Sequence, residues 1–192
     1  MMMRLFFAIP LPDQVKQILK AKATLMQSKF SSGSWIKSNN YHITLSFLGN
    51  TDSHLLPQLT ELASSLTSTF TQQSLELQDM DAFPSRRNVK TLICTLSKVD
   101  WLERLALELR SGLFAFGIKA DNRFYPHVTL ARFREPVKQH YNFPWDQYVV
   151  NTKMMFEHFE LVESVLKPTG AQYNTVATFN VSKEDKTNGR KG

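Results

Sequence analysis

A single cysteine, Cys94, rules out an internal disulfide, and its place in the apolar run Thr91 to Leu96 predicts a buried strand thiol. A reducing, cytoplasmic setting fits that usage. No stretch approaches the roughly 20 consecutive apolar residues that a helical membrane span needs. The greasy N-terminus, Met1 to Pro12, is interrupted by Pro10 and Pro12 and leads to no small-residue cleavage site, so it reads as a strand. Also missing is any Pro- or Gly-rich linker: the 7 glycines and 8 prolines are scattered, and no composition break divides the chain. Nor does charge of one sign dominate. The net value of +6 is modest, and its clusters at Arg86, Arg87 and Lys90, at Arg132, Arg134 and Lys138, and in the tail from Lys183 to Lys191 suggest an anionic partner without identifying it.

What is abundant is apolar side chain. At 42% hydrophobic, with 14 phenylalanines in 192 residues, the chain has enough to bury a sizeable core and too much to remain disordered. Apolar residues at Val15, Ile18, Leu19 and Met26 recur at helical spacing behind Asp13 as a cap, predicting a helix over 13–29 that ends at Ser31 to Ser34. Leu55, Leu59, Leu62 and Leu66 predict a second over 53–69, and Leu102, Leu105, Leu109 and Leu113 a third over 100–116. Strand-like runs fall at 5–9, 42–48, 75–83, 91–96, 127–133, 154–166 and 173–181, and the loop around Pro136 to Trp145 reads as a surface excursion. The interleaving predicts one α+β domain with two lobes over 1–182, followed by a polar, fraying tail over 183–192.

One short pattern occurs twice. Tyr41-His42-Ile43-Thr44-Leu45-Ser46-Phe47 is echoed, 85 residues on, by Pro126-His127-Val128-Thr129-Leu130-Ala131-Arg132. With 5 histidines in the chain, composition predicts roughly 0.05 His-x-Thr-Leu tetrapeptides, so two by chance is on the order of one in a thousand and duplication is the better account. In a strand, side chains alternate between faces, so His42 and Thr44 emerge on one side while Ile43 and Leu45 enter the core, and the second copy behaves likewise. Packed about a pseudo-two-fold axis, the halves bring two imidazoles and two hydroxyls to a common groove.

That set suits cleavage of a phosphodiester. An ordinary imidazole pKa of about 6.5 lets one ring accept a proton from water while the other gives one to a departing oxygen, each positioned transfer being worth about 10²- to 10⁴-fold. The Thr44 and Thr129 hydroxyls would bond the non-bridging oxygens where charge grows. A lone strand histidine beside threonine is more often structural; the repeat is what separates His42 and His127 from that reading. His54, His140 and His158 lack it and are taken as loop, loop and strand residues. No metal or cofactor is expected, because neither motif has the carboxylates or thiols that would complete a ligand shell.

At these residues the chain resembles the 2H phosphoesterase superfamily, named for its paired His-x-Thr motifs, and within it the RNA 2′,3′-cyclic phosphodiesterases, historically called 2′-5′ RNA ligases. Further matches are Arg4-Leu5-Phe6-Phe7-Ala8-Ile9 with Leu11-Pro12, Phe47-Leu48-Gly49, Phe124 with Pro126, and Glu163-Ser164 through Gly170 to Tyr173. The resemblance implies two antiparallel sheets facing a central cleft with helices outside, no metal, and hydrolysis of terminal 2′,3′-cyclic phosphates to 2′-phosphates, with 2′-5′ ligation as its reverse. It implies His42 as acid toward the 3′-oxygen and His127 as base, although the residues themselves leave the roles interchangeable. It also implies that Phe47 and Arg132, each five residues beyond its histidine, sandwich the terminal base. Strict alternation would put both on the wrong face, so a bulge or strand end must turn them. The sequence departs from the family around Phe83 to Lys90, where an arginine next to a proline is expected and Arg86-Arg87-Asn88 stands instead.

The partners expected are RNA with cyclic phosphate ends, or small cyclic nucleotides, met by a monomer away from any membrane. Two other readings stay open: an RNA-end-binding module without turnover, and a related phosphodiesterase acting on 2′-5′ linkages or other cyclic nucleotides. The histidine pair disfavours the first, since binding alone needs no two groups titrating near neutrality.

Overall fold

The computed structural model describes residues 1–30, 33–119, 123–139, 142–168 and 170–183; His140, Ser31 and the tail beyond Lys183 lie outside them. Among the described residues, three helices and nine strands form in the order β1 (Met2–Pro10), α1 (Asp13–Gln27), β2 (Ser34–Trp35), β3 (His42–Asp52), α2 (Leu56–Leu66), β4 (Gln73–Ser85), β5 (Asn88–Leu96), α3 (Asp100–Ala115), β6 (His127–Lys138), β7 (Thr152–Phe156), β8 (His158–Lys167) and β9 (Gly170–Asn180). The strands are antiparallel neighbours in the order β7-β4-β5-β6-β3-β1-β8-β9, with β2 on β6. Two four-stranded halves, β7-β4-β5-β6 and β3-β1-β8-β9, correspond to the two expected sheets, but the Ile43–Val128 pairing joins them into one continuous nine-stranded sheet.

The leucine stripes are core, as their spacing predicts. Leu102, Leu105, Leu109 and Leu113 of α3 are completely buried, α2 buries Leu59, Ala63 and Leu66, and α1 buries Val15, Leu19, Ala23 and Met26. Helix α1 lies beside β7, α3 beside β3 and α2 beside β9, with α2 and α3 packed on each other. The main core takes Leu5, Phe7 and Ile9 from β1, whereas Phe6 and Ala8, on the opposite face, join Val162 and Tyr173 in a small separate cluster. Period-two alternation along β1 therefore decides which residues brace the helices and which remain for the other face.

Four expectations change. Asp13 is not a cap: helix α1 begins at Asp13 behind Pro12, and the carboxylate instead meets Lys16 at 3.5 Å, a first-turn acid beside the positive end of the helix dipole. Over 53–69, a short 3-10 turn, Ser53–Leu55, precedes α2, because Asp52 caps the backbone N–H of His54 and Pro57 suits the first helical turn. The run 154–166 is two strands. The chain breaks at Glu157, β7 pairing with β4 in one half and β8 with β1 in the other, so an unbroken apolar pattern hides a crossing between halves. Finally, the excursion after Pro136 is anchored rather than superficial at its end, since Phe143, Trp145 and Tyr148 pack among one another and Trp145 and Tyr148 are buried. Cys94 is a fully buried strand thiol as expected, its pKa pushed up to about 12 chiefly by that burial.

Candidate active site

Both motifs open their strands: β3 starts at His42 and β6 at His127. With Ile43 opposite Val128 in an antiparallel pair, the register sets His42 across from Thr129 and Thr44 across from His127. The two imidazoles and two hydroxyls consequently share one face at the junction of the halves, as the repeat predicts. Facing pairs at such a position sit about 5 Å apart and diagonal neighbours, as His42 and His127 are, about 7–8 Å.

The two rings are held alike. His42 Nδ1 is 2.7 Å from the carbonyl of Asn40, and His127 Nδ1 is 2.7 Å from the carbonyl of Tyr125. A carbonyl can only accept, so each Nδ1 carries the proton and donates, and in the neutral ring each Nε2 is left as the acceptor. For His42 that nitrogen lies 3.1 Å from Thr44 Oγ1, whose hydroxyl donates to it. Asn40 is itself tied down, its side-chain amide donating to the Ala171 carbonyl at 2.9 Å.

Aromatic rings wall in each imidazole. The Phe6 and Tyr173 centroids stand 5.0 and 5.2 Å from that of His42, and Phe83 stands edge-on 5.2 Å from His127. Burial lowers the His42 pKa to about 4; the charges of His127 and Arg132 push the same way and the Asn40 carbonyl opposes. His127 is likewise lowered by burial and by Arg132, against the Tyr125 carbonyl. Both shifts favour the neutral ring at pH 7. Sequence reasoning does not single out Phe6, Tyr173, Phe83, Asn40 or Tyr125, although Phe6 and Tyr173 fall in stretches that carry the resemblance and Asn40 and Tyr125 share one offset, two residues before each histidine.

Phe47 and Arg132 reach the histidine side through bulges. Between Thr44 and Ser46 the β1 partners step from Ala8 to Phe7, and between Thr129 and Ala131 the β5 partners step from Ile93 to Leu92, leaving Leu45 and Leu130 unpaired at equivalent points. Each extra residue shifts the alternation by one, so Leu45-Ser46 and Leu130-Ala131 are consecutive buried pairs and Phe47 and Arg132 emerge exposed. The Phe47 ring lies 5.8 Å from that of Phe6, and Phe47 lines a cavity of about 230 Å³ with Thr44 and His127. On the other side of the pair, a cavity of about 240 Å³ is bounded by His42, Phe6, Tyr173, Lys16 and Asn40.

Arg86 does not face this site as a free cation. It donates from Nε to Asp81 at 3.1 Å and from its terminal nitrogen to the Met80 carbonyl at 3.1 Å, and lies 5.2 Å over the Trp145 ring; Arg87 is exposed. His54 sits in a surface turn near Asp52 and His158 at the start of β8, 3.7 Å from Glu160. Among the described residues no group of three or more His, Cys, Asp or Glu side chains is arranged to hold a metal, and no helix is long and apolar enough to cross a membrane.

Residues 9–94 match the family described as LigT like Phosphoesterase. An RNA 2′,3′-cyclic phosphodiesterase of Escherichia coli K12 is 33% identical over 131 residues, which span 67% of this chain and 71% of that protein. One of the same name from Thermus thermophilus is 29% identical over 189 residues, 95% of this chain and 92% of its own. The crystal structure of TT0787 of Thermus thermophilus aligns with a TM-score of 0.79 at 27% identity, over 95% of this chain and 100% of that one.

Proposed function

Because the chain belongs to the LigT-like phosphoesterase family, we propose that it is an RNA 2′,3′-cyclic phosphodiesterase working by two-histidine acid–base catalysis without a metal. The observation that carries the reading is the Ile43–Val128 pairing, which sets His42 and His127 on one face with Thr129 and Thr44 opposite them. Water attacks the phosphorus as His127 Nε2 takes its proton; the bond from phosphorus to the 3′-oxygen breaks, and protonated His42 supplies the proton that this oxygen needs. The product is a 2′-phosphate with a free 3′-hydroxyl. A 5′-hydroxyl in place of water gives a 2′-5′ linkage by the same transfers.

The lowered pKa values fit an anionic substrate. A phosphodiester between the rings favours their charged forms, so its arrival raises an imidazole back toward the range where it can hold the proton it must deliver. Thr44 then turns its hydroxyl from His42 to a non-bridging oxygen, where Thr129 bonds as well. Phe47 and Arg132 flank the terminal base, and flat stacking surfaces accept any base.

The deciding experiment incubates purified protein with an oligonucleotide ending in a 2′,3′-cyclic phosphate, with and without EDTA, and locates the phosphate in the product. Opening to the 2′-phosphate at an unchanged rate in EDTA is expected. No turnover, a 3′-phosphate product, or a rate abolished by the chelator would each overturn the proposal.

A further inference from the structure

The second repeat continues past its bulge in a way that the first does not. From Arg132 to Lys138 strand β6 keeps its alternation: Phe133 is buried and Val137 packs on the core, while Arg132, Arg134 and Lys138 are exposed on the histidine side. Glu135 falls on the other face with Phe133 and Val137. Beside this stretch β5 contributes Lys90, exposed and alone between the Val89–Val137 and Thr91–Arg132 pairs. In the first repeat the matching run beyond Phe47, Leu48 to Asp52, has no lysine or arginine and ends in a carboxylate, with a single Arg4 of β1 opposite Asn50. The two ends of a duplicated pattern thus differ in charge, and core packing does not require the difference, since these cations are exposed.

Among the described residues Lys90, Arg134 and Lys138 form no ion pair, and the β4 carboxylate closest to the β4–β5 turn, Asp81, is engaged by Arg86 at 3.1 Å. At about 3.3 Å per residue, Arg134 lies about 7 Å and Lys138 about 20 Å beyond Arg132 along the strand. A nucleic acid strand presents a phosphate about every 3.4 Å when stacked, and at wider intervals when extended, so this length meets several. Cations in such a row bind the chain through its backbone and read no sequence. Because Arg132 flanks the terminal base in the proposed function, the row begins where the last nucleoside ends.

Resting on the phosphodiesterase reading, we infer that Arg134, Lys138 and Lys90 form a backbone track for the RNA chain 5′ to the terminal nucleotide, which leaves the site along β6 toward the β4–β5 turn. The protein then favours the end of an RNA strand over a free cyclic nucleotide, and does so without preference for the upstream sequence.

Two product-like ligands test this: a nucleoside 2′-phosphate and a hexanucleotide ending in the same 2′-phosphate, each titrated against the full chain by calorimetry over a range of salt concentrations. At about 50 mM salt the hexanucleotide should bind about tenfold tighter or more, and the slope of log K against log salt should be steeper for it by about 2, three contacts at about 0.7 each. Arg134→Gln, Lys138→Gln and Lys90→Gln should each reduce that difference in slope by about 0.7, and the triple variant should remove it together with the gain in affinity. All three side chains are exposed, so the variants should fold, which circular dichroism checks. Lys167→Gln, at the β8–β9 turn in the other half, should leave the difference in place. Equal slopes for the two ligands in the wild type, or a difference that survives the triple variant, overturns the track. A loss from Lys167→Gln as large as that from the three overturns it too, since the attraction is then that of the whole basic protein. Neither ligand has to be turned over, so an absence of catalysis alongside the expected slopes would count against the phosphodiesterase reading alone.

Discussion

Ile43 and Val128 face each other at the pairing through which the two halves of the sheet join, and the catalytic candidates are the residues immediately beside them. Both side chains are completely buried. The core contact that connects the halves therefore fixes the spacing of the imidazoles, and fold and site depend on the same backbone hydrogen bonds.

Replacing His42 or His127 by alanine should lower turnover of a cyclic phosphate by about 10²- to 10⁴-fold, and the double variant should lose little more than the worse single one, because both transfers serve one step. Rates measured alongside circular dichroism check this. Additive losses would show that the two rings act separately.

The pH dependence follows from the directions of the shifts. In the free protein both rings titrate below 6.5, His42 near 4, so kcat/KM should peak between about 4 and 6.5 and fall as pH rises further and the singly protonated form disappears. Arg132→Gln removes a positive charge that lowers both rings, so both titrations and the profile should move upward. Stability carries the same signature. Above 6.5 folded and unfolded His42 are both neutral; between 6.5 and about 4 only the unfolded chain takes the proton, so stability drops as pH falls through that window and levels off below it. Urea melts of wild type and His42→Gln at pH 7 and pH 5 test this: the wild type should lose more on acidification.

Phe47→Ala should weaken substrate binding by about tenfold to a hundredfold, the value of stacking one base, with similar losses for all four bases. Its ring is 54% exposed, so the melting temperature should hardly move. KM values for the four nucleoside 2′,3′-cyclic phosphates supply the measurement.

Asn40 acts as a positioning residue through His42. Asn40→Ala cuts the 2.9 Å link to the Ala171 carbonyl and frees the backbone carbonyl that orients the ring. A kcat reduced by about five- to tenfold with KM unchanged is expected, together with a shifted His42 titration by NMR. A merely structural residue would leave that titration where it was.

Ser46 is buried and its hydroxyl finds no partner among the described residues, while Ala131 fills the equivalent position in the second repeat. Ser46→Ala should therefore stabilise the protein, by about 1 kcal/mol, since it removes an unsatisfied polar group. Chemical denaturation measures the gain, and a loss of stability would reveal a partner for the hydroxyl.

The helical stripes were legible because three leucine-rich runs repeat at 3.6-residue spacing, and α3 at Asp100–Ala115 falls within one residue of its expected span. The site was legible because the repeat supplies its own register: Ile43 can meet Val128 only if the flanking histidines and threonines share a face. Less could be read where local pattern is silent about partners. β2, Ser34–Trp35, is too short and polar to signal a strand, and nothing local to Glu157 reveals that its two sides belong to opposite halves. The rings against His42 and His127 escaped for the same reason, Phe6 and Tyr173 being contributed from opposite ends of the chain. The need for a bulge was deducible; its location at Leu45 and Leu130 was not.

Those two unpaired leucines make the site more sensitive to length than to composition. A point change at Ser46 or Ala131 alters one side chain, but inserting a single residue between the threonine and the fifth position after the histidine would, with the bulge kept, reverse the alternation beyond it and send the Phe47 or Arg132 side chain inward. Single-residue insertions in these short windows should be tolerated far less than substitutions, even by a protein that still folds.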